Sequence, residues 1–120
     1  MKMKFQKKEL TLIVSISAEV DHHIAEECRE KIEKELDKFQ GKSIIFDFSD
    51  VTFMDSSGIG MVIGRYKYTL AQGGRTAIVC RNEKVKQIFQ LSALFQLIPC
   101  YDTIGEALKY TNQEGFLNEI

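Results

Sequence analysis

The sequence has no tryptophan and a single proline, Pro99, and it contains no Gly/Ser/Pro-rich stretch that could act as a linker. Its 120 residues therefore predict one domain without an internal boundary. The chain also lacks an excess of charge of one sign, because 16 basic residues face 17 acidic ones. Binding to nucleic-acid phosphates needs a basic excess, so we expect no direct contact with nucleic acid.

Long apolar runs are missing as well. No segment approaches the roughly 18 apolar residues of a membrane span, and no apolar stretch follows the basic residues Lys2 and Lys4 as a signal peptide would require. The three cysteines, Cys28, Cys80 and Cys100, are widely spaced and none forms a C-x-x-C pair. An odd, scattered set suits a reducing compartment. We therefore expect a cytoplasmic protein that does not associate with membranes.

Hydrophobic residues make up 44% of the chain, enough for a packed core. Short apolar or alternating runs are typical of β-strands. A run that is apolar throughout, such as residues 43–48, indicates a strand covered on both faces, and we expect residues 49–55 to form a loop after it. The predicted strands are residues 5–8, 10–17, 43–48, 76–80 and 95–98.

Four segments between these strands carry apolar residues at helical spacing. Asp21, Asn82 and Thr103 are suitable N-caps for three of the helices, and the remaining helix is expected to start near Ser57. Gly41 is expected to end the first helix, and Gly73 with Gly74 the second. The predicted core stripes are Ile24, Cys28, Ile32, Leu36 and Phe39; Ile59, Val62, Ile63, Tyr66 and Leu70; Val85, Ile88 and Phe89; and Ile104, Ala107 and Leu108.

The predicted element order is ββαβαβαβα. Strands that alternate with helices favour parallel pairing with right-handed crossovers, and the opening ββ pair adds one antiparallel contact. We therefore predict an α/β fold with a small mixed sheet of four to five strands and about four helices. A single domain is expected over residues 1–110, followed by a polar C-terminal extension over residues 111–120.

The segment 53–60, Phe-Met-Asp-Ser-Ser-Gly-Ile-Gly, lies between a predicted central strand and a helix. In α/β proteins such a junction lies at the carboxyl edge of the sheet, where functional sites are found. The free N–H groups and the dipole of the helix start favour an anion, so a phosphoserine would be tolerated there. Gly58 and Gly60 leave the approach open to a modifying enzyme.

A purely structural interpretation of this segment stays open, because Asp55, Ser56 and Ser57 are all good N-caps. The segment does not match a P-loop, a dinucleotide-binding glycine motif or a serine nucleophile elbow. A second polar segment, Glu19 to His23, precedes the first predicted helix. Adjacent histidines diverge on a helix and no third ligand is evident, so no metal site is expected. Asp21 and the histidines can instead form a partner-contact loop near Ser57, at the same sheet edge.

These two segments resemble the STAS-domain anti-sigma factor antagonists, in particular those of the sporulation anti-sigma-F factors of Gram-positive spore formers. The similarity at residues 53–60 continues through Ile63-Gly64-Arg65-Tyr66-Lys67. Glu19-Val20-Asp21-His22-His23 with Ala25-Glu26 matches the loop and helix start of the same family. Phe89, Ser92, Leu94 and Phe95 fit its later helix. The resemblance spans roughly residues 5–110.

The resemblance implies a non-enzymatic switch without cofactor or metal. In the family the second serine of the Asp-Ser-Ser-Gly motif is phosphorylated, which is Ser57 here. The kinase is the anti-sigma factor itself, an ATP/ADP-bound serine kinase that otherwise holds the sigma factor inactive. The unmodified antagonist binds it and frees the sporulation sigma factor, and a metal-dependent serine phosphatase restores the modified form. The implied partner-binding residues are Asp21, His22, His23, Asp55, Ser56, Ser57, Gly58, Ile59 and Gly60.

One position departs from the family pattern. Glycine is common just before the Glu-Leu/Val-Asp stretch, whereas this chain has Ala18, which disfavours a positive φ. Two other functions stay open: a STAS module that binds a ligand or nucleotide, and a serine hydrolase that uses Ser57 with His22 or His23. The hydrolase lacks an evident base, orienting group and oxyanion motif in the sequence.

Overall fold

The computed structural model describes residues 1–112, in which five strands form one sheet in the spatial order β1-β2-β3-β4-β5. The pair β1–β2 is antiparallel, and the other neighbours are parallel. A short 3-10 helix, Leu94–Gln96, precedes β5. The elements are β1 (Lys2–Lys8), β2 (Thr11–Val20), α1 (His22–Lys38), β3 (Ser43–Met54), α2 (Ser56–Ala71), β4 (Thr76–Val79), α3 (Glu83–Leu91), β5 (Cys100–Tyr101) and α4 (Ile104–Thr111).

Helices cover both faces of the sheet because the central strands are apolar on both sides. On one face, side chains such as Leu12, Phe46 and Ile78 pack with the buried residues of α1, α2 and α3. On the other face, Ile13, Ile45, Ala77 and Val79 form a smaller cluster with Ala107 of α4. The predicted mixed α/β sheet with four helices is confirmed.

Helix starts follow the predicted capping residues. The side chains of Asp21, Asn82 and Thr103 accept hydrogen bonds from backbone N–H groups in the first turns of α1, α3 and α4. Beyond the end of α2, Gly73 adopts a φ of +77°, a conformation that suits glycine.

The sequence-based prediction is wrong at the end of β3. This strand continues to Met54, so the loop expected over residues 49–55 is absent from the chain's described part. Val51 and Met54 are fully or almost fully buried and extend the core along the strand. Residues 17–20 of β2 pair with this part of β3, with register irregularities before Ser17 and between Ala18 and Glu19. The long β2–β3 pair therefore carries both strands directly to the starts of the next helices.

Three smaller expectations are also corrected. Residues 95–98 do not form a strand, because the chain there turns through the 3-10 helix and pairs with β4 only from Cys100. Leu70 is 61% exposed and lies outside the core. Helix α1 ends at Lys38, before Gly41, whose backbone instead lies so close to Phe39 and to the Leu10 carbonyl that a Cβ would collide with both.

Ala18 does not adopt the conformation that would require glycine, since within residues 1–112 the non-glycine residues with positive φ are Glu9 and Ala93. The predicted boundary at residue 110 stays a prediction. Thr111 is buried and hydrogen-bonded to Thr11, and residues 113–120 of the predicted extension lie outside the described residues. Among residues 1–112, no helix is both long and apolar enough to span a membrane.

Candidate functional site at the carboxyl edge of the sheet

Two equivalent strand-to-helix junctions lie side by side at the carboxyl edge of the sheet. A single residue, Asp21, connects β2 to α1, and a single residue, Asp55, connects β3 to α2. The strand ends Val20 and Met54 are paired, and the Asp55 N–H donates to the Val20 carbonyl at 3.1 Å. Strand pairing therefore fixes the starts of α1 and α2 next to each other.

Both aspartates act as N-caps with nearly the same extended backbone. Asp21 Oδ1 accepts from the Ile24 N–H at 2.9 Å. Asp55 Oδ1 accepts from the Ser57 N–H at 2.9 Å and from the Gly58 N–H at 3.3 Å. Because Asp55 provides the cap, the Ser57 hydroxyl is not needed to stabilise the helix start and stays available for other contacts.

The Ser57 hydroxyl reaches across to the neighbouring helix. Ser57 Oγ lies 3.2 Å from His22 Nδ1, and the protonation of the ring decides which of the two atoms donates. The expected proximity of the two polar segments is therefore observed, but the hydrogen bond to Ser57 comes from His22, while the Asp21 carboxylate caps α1. Ser57 is half-buried, whereas Ser56 is exposed.

The other residues predicted to bind a partner differ in accessibility. Asp21, His22, His23, Ser56 and Gly60 are exposed, and Asp55 and Ile59 are half-buried. Gly58 is buried, and a Cβ at this position would lie 2.5 Å from the Met54 side chain, so glycine allows α2 to start close to β3. Direct partner contacts by all these residues stay predictions.

Sequence reasoning missed a groove between α1 and α2 next to Ser57. The groove has a volume of about 280 Å³. Gly60 contributes no side chain, and a Cβ there would meet nothing within 4 Å. The lining residues are His22, Ala25, Glu26, Arg29, Ser57, Gly60, Met61 and Arg65. The helical spacing of His22, Glu26 and Arg29, which puts them on one face of α1, was the available signal.

The groove contains two arginines in different electrostatic settings. Arg29 is held by Glu26 and Glu33, and its hydrogen bonds raise the Arg29 pKa and lower that of Glu26. Arg65 is more buried, with a side chain only 13% exposed, and burial lowers its pKa. Its Nη2 lies 3.6 Å from Glu33 Oε1, but its buried Nη1 has no hydrogen-bond partner among residues 1–112.

Phe53 is a second surface feature that sequence reasoning did not single out. Its ring is 46% exposed although it lies near the end of β3, two residues before Asp55. Large exposed aromatic side chains beside a polar site are common in protein–protein interfaces. Phe53 is therefore a candidate addition to the predicted partner surface.

This geometry gives little support for a catalytic site or a metal site. The His22–Ser57 pair is close enough for proton transfer. However, the Ser57 and Gly58 N–H groups, which lie where they could stabilise an oxyanion, already donate to Asp55. In the described part of the chain, no three His, Cys, Asp or Glu side chains are grouped to hold a metal ion.

Comparisons with known proteins point to one family. The STAS domain model matches residues 2–107. An anti-sigma F factor antagonist from Paenibacillus polymyxa is 36% identical over 97 residues, which cover 81% of this chain and 83% of that protein.

Solved structures give the same result. The anti-sigma factor antagonist SpoIIAA in its unphosphorylated form superposes with a TM-score of 0.78 at 29% identity, covering 99% of this chain and 98% of that one. The phosphorylated form of the Bacillus cell fate determinant SpoIIAA superposes with a TM-score of 0.69 at 30% identity, covering 91% and 98%.

Proposed function

The chain belongs to the STAS domain family and, like its relatives, is an anti-sigma factor antagonist; we propose that phosphorylation of Ser57 switches this activity off. The observation that carries the proposal is the presentation of Ser57. Its hydroxyl lies at the carboxyl edge of the sheet, at the start of α2, and Asp55 relieves it of the capping role. A hydroxyl in this position is accessible to a kinase, and the SpoIIAA structures exist in both phosphorylation states.

The proposed partner is an anti-sigma factor with serine kinase activity. Ser57 Oγ attacks the γ-phosphorus of ATP bound to that kinase, an O–P bond to serine forms, and the bond to the β-phosphate breaks to release ADP. The hydroxyl proton passes to a base on the kinase. The antagonist contributes an oriented acceptor and the partner contributes the nucleotide, so no cofactor is assigned to this chain.

Loss of binding after phosphorylation follows from electrostatics. The phosphate would bring a charge of about −1.5 to −2 to the place where the nucleotide phosphates of the kinase must approach. Like charges in a desolvated interface cost several kcal/mol, and every 1.4 kcal/mol changes affinity about tenfold. A local modification can therefore end binding without refolding, and a large backbone rearrangement between the two forms would contradict this account.

The proposal also covers the partner surface, the sigma factor, the phosphatase and the cell compartment. The partner surface is centred on residues 21–23 and 55–60, with Phe53 at its edge. The sigma factor set free is a sporulation factor, in line with the anti-sigma F factor antagonist among the relatives. A metal-dependent serine phosphatase returns the protein to the active form, and the whole cycle takes place in the cytoplasm.

The test is a phosphotransfer assay with the cognate anti-sigma factor and ATP. Intact mass and native-gel binding are measured for the wild type, Ser57→Ala and Ser56→Ala. Ser56→Ala is a matched control because it removes a neighbouring hydroxyl from the same helix turn. We expect one phosphate per chain in the wild type and in Ser56→Ala, none in Ser57→Ala, and loss of binding on modification.

Two outcomes would overturn the proposal in different ways. Phosphate transfer that disappears only in Ser56→Ala would move the acceptor to the adjacent serine. A wild-type chain that takes up no phosphate but still binds the anti-sigma factor would remove the switch and leave the antagonist function.

The His22–Ser57 contact is the one observation that favours a second function, a serine hydrolase. Ester turnover that is lost in both Ser57→Ala and His22→Gln would support it. The capped Ser57 and Gly58 N–H groups at the start of α2 argue against this function, because these two donors are already used by Asp55.

A further inference from the structure

The groove between α1 and α2 has a lining that the antagonist function does not by itself explain. It runs from Ser57 toward Arg65 along α2 and from His22 toward Arg29 along α1. Ser57 and His22 meet at one end of this groove. Arg65 lies about two turns farther along α2, where its Nη2 is 3.6 Å from Glu33 Oε1.

Arg65 carries the most informative contact pattern. Its guanidinium is largely buried, yet its Nη1 has no acceptor among the described residues, and its ion pair with Glu33 is long at 3.6 Å. A buried donor without an acceptor costs about 1–3 kcal/mol. An anion with several acceptor oxygens inside the groove would remove this cost.

The other groove residues allow such an anion. Gly60 places no side chain in the groove, and Met61 is an apolar residue of the lining. His22 already lies within hydrogen-bond distance of Ser57 Oγ and donates when its ring is protonated. Donors on both helices therefore line the groove that a phosphate on Ser57 would enter.

We propose that this groove is an intramolecular phosphate-binding site, in which Arg65 and His22 hold the phosphoryl group of phosphorylated Ser57. The inference rests on the proposed function in one respect, that Ser57 is the residue modified. It goes further by giving the phosphate a place within the chain itself. The phosphorylated form then differs from the unmodified form by a bridge between α1 and α2 as well as by its charge.

Other charged groups near Ser57 also act on the phosphate and must be considered together with Arg65 and His22. Arg29 contributes positive charge that is largely committed to two carboxylates. The carboxylates on the packed elements oppose the phosphate, so the net effect depends on Arg65 and His22. These carboxylates are Glu26 and Glu33 of α1 and the capping residues Asp21 and Asp55.

The test uses the full chain with phosphoserine incorporated at position 57 during translation, so that it does not depend on any kinase. Titration by phosphorus NMR gives the second pKa of the phosphate. We expect Arg65→Gln to raise this pKa by about one unit, because a nearby cation favours the dianion. Arg65→Lys should restore part of the shift. Lys109→Gln, which removes one positive charge from α4 on the opposite sheet face, should change it little.

The two neighbouring histidines give a second readout that needs no substitution. Incorporation of phosphoserine should move the imidazole NMR resonances of His22 further than those of His23. Both rings are exposed and their centroids lie 6.2 Å apart, but only His22 lines the groove. Equal shifts of the two histidines would contradict the proposal even if Arg65→Gln did not fold.

The remaining outcomes separate this inference from the proposed function. A phosphate pKa that is the same in the wild type and in Arg65→Gln would overturn the intramolecular site. If the same variant also slowed phosphate transfer from the kinase, the groove would instead serve the nucleotide of the partner. Expected pKa shifts combined with no kinase-dependent phosphorylation would support the groove and refute the switch.

Discussion

The two edges of the sheet use the same chemical group, the hydroxyl, in opposite ways. At the amino edge, β2, β3 and β4 begin with Thr11, Ser43 and Thr76, which are almost completely buried. Their hydroxyls are paired within the protein, for example Thr69 with Thr76 at 2.6 Å. At the carboxyl edge, Ser57 is half-buried and its side chain contacts His22. Hydroxyls with buried partners stabilise the fold, whereas a presented hydroxyl is available for chemistry.

The larger cavity of the molecule does not lie at the edge that carries Ser57. A cavity of about 660 Å³ lies at the amino edge, beside Ser43, Thr76 and the exposed Leu70, and it is larger than the groove of about 280 Å³ beside Ser57. The smaller groove has the hydroxyl proposed to be phosphorylated, the histidine and the buried arginine donor. The proposed functional edge is therefore distinguished by the identity of its lining groups and not by the volume of its cavity.

The largest effect of a substitution is expected at a glycine of the amino edge. In Gly74→Ala the new Cβ would lie 1.8 Å from the Lys42 carbonyl oxygen, so the backbone must move. We expect a loss of about 3 kcal/mol in unfolding free energy, measured by urea denaturation. Gly60→Ala is the matched control in the groove, because its Cβ meets nothing within 4 Å. A gain of up to about 1 kcal/mol is expected there from helix propensity, and equal losses at both glycines would contradict the comparison.

The next effect concerns the buried hydroxyl pair. Thr69→Val leaves the Thr76 hydroxyl without its partner at 2.6 Å, and we expect a loss of about 2 kcal/mol. Adding Thr76→Val should recover much of that loss, because two apolar groups of similar shape leave no unpaired hydroxyl. Thermal denaturation of the single and double variants checks this, and phosphate uptake at Ser57 should stay unchanged in both. A double variant that is less stable than either single variant would argue against a simple pair.

A smaller and more selective effect is expected for the N-caps. Asp55→Ala and Asn82→Ala remove similar capping bonds from α2 and α3, and each should lower stability by about 1 kcal/mol. Only Asp55→Ala should also slow phosphate transfer, since Asp55 orients the first turn that carries Ser57. Equal transfer rates in the two variants would show that the cap has no part in presenting the serine.

The smallest change in stability is expected at the proposed phosphorylation site itself. Ser57→Ala removes a hydroxyl whose one side-chain contact in the described chain is the exposed bond to His22. Its unfolding free energy should stay within about 0.5 kcal/mol of the wild type, although phosphate uptake is lost completely. A large destabilisation would mean that Ser57, like Thr69, has mainly a structural role.

The sequence predicted those parts of the fold that depend on local chemistry. Capping residues such as Asp21 and Asn82 marked helix starts correctly, because the cap bond forms within one turn. The end of β3 was not predictable in this way. Residues 49–54 are half polar, and they stay in the strand because they pair with β2, a partner distant in sequence.

In the candidate site, too, local features were predictable from the sequence and contacts between distant segments were not. The motif at residues 53–60 and the loop at residues 19–23 were evident from the sequence, and the family resemblance joined them. The contact between His22 and Ser57, and the isolation of Arg65 Nη1, depend on how α1 packs on α2. The helical spacing of His22, Glu26 and Arg29 puts them on one face of α1, but it does not show that α2 packs beside that face, so the groove became visible only in the structure.

The one-residue junctions at Asp21 and Asp55 have a consequence for the speed of recognition. Because no loop precedes either helix start, a partner meets a surface whose backbone is already ordered and loses little conformational entropy on contact. Encounter should then be limited by diffusion and orientation, with association rate constants of about 10⁵–10⁷ M⁻¹s⁻¹. A phosphate at Ser57 would slow this encounter as well as shorten the lifetime of the complex, because like charges repel each other before contact.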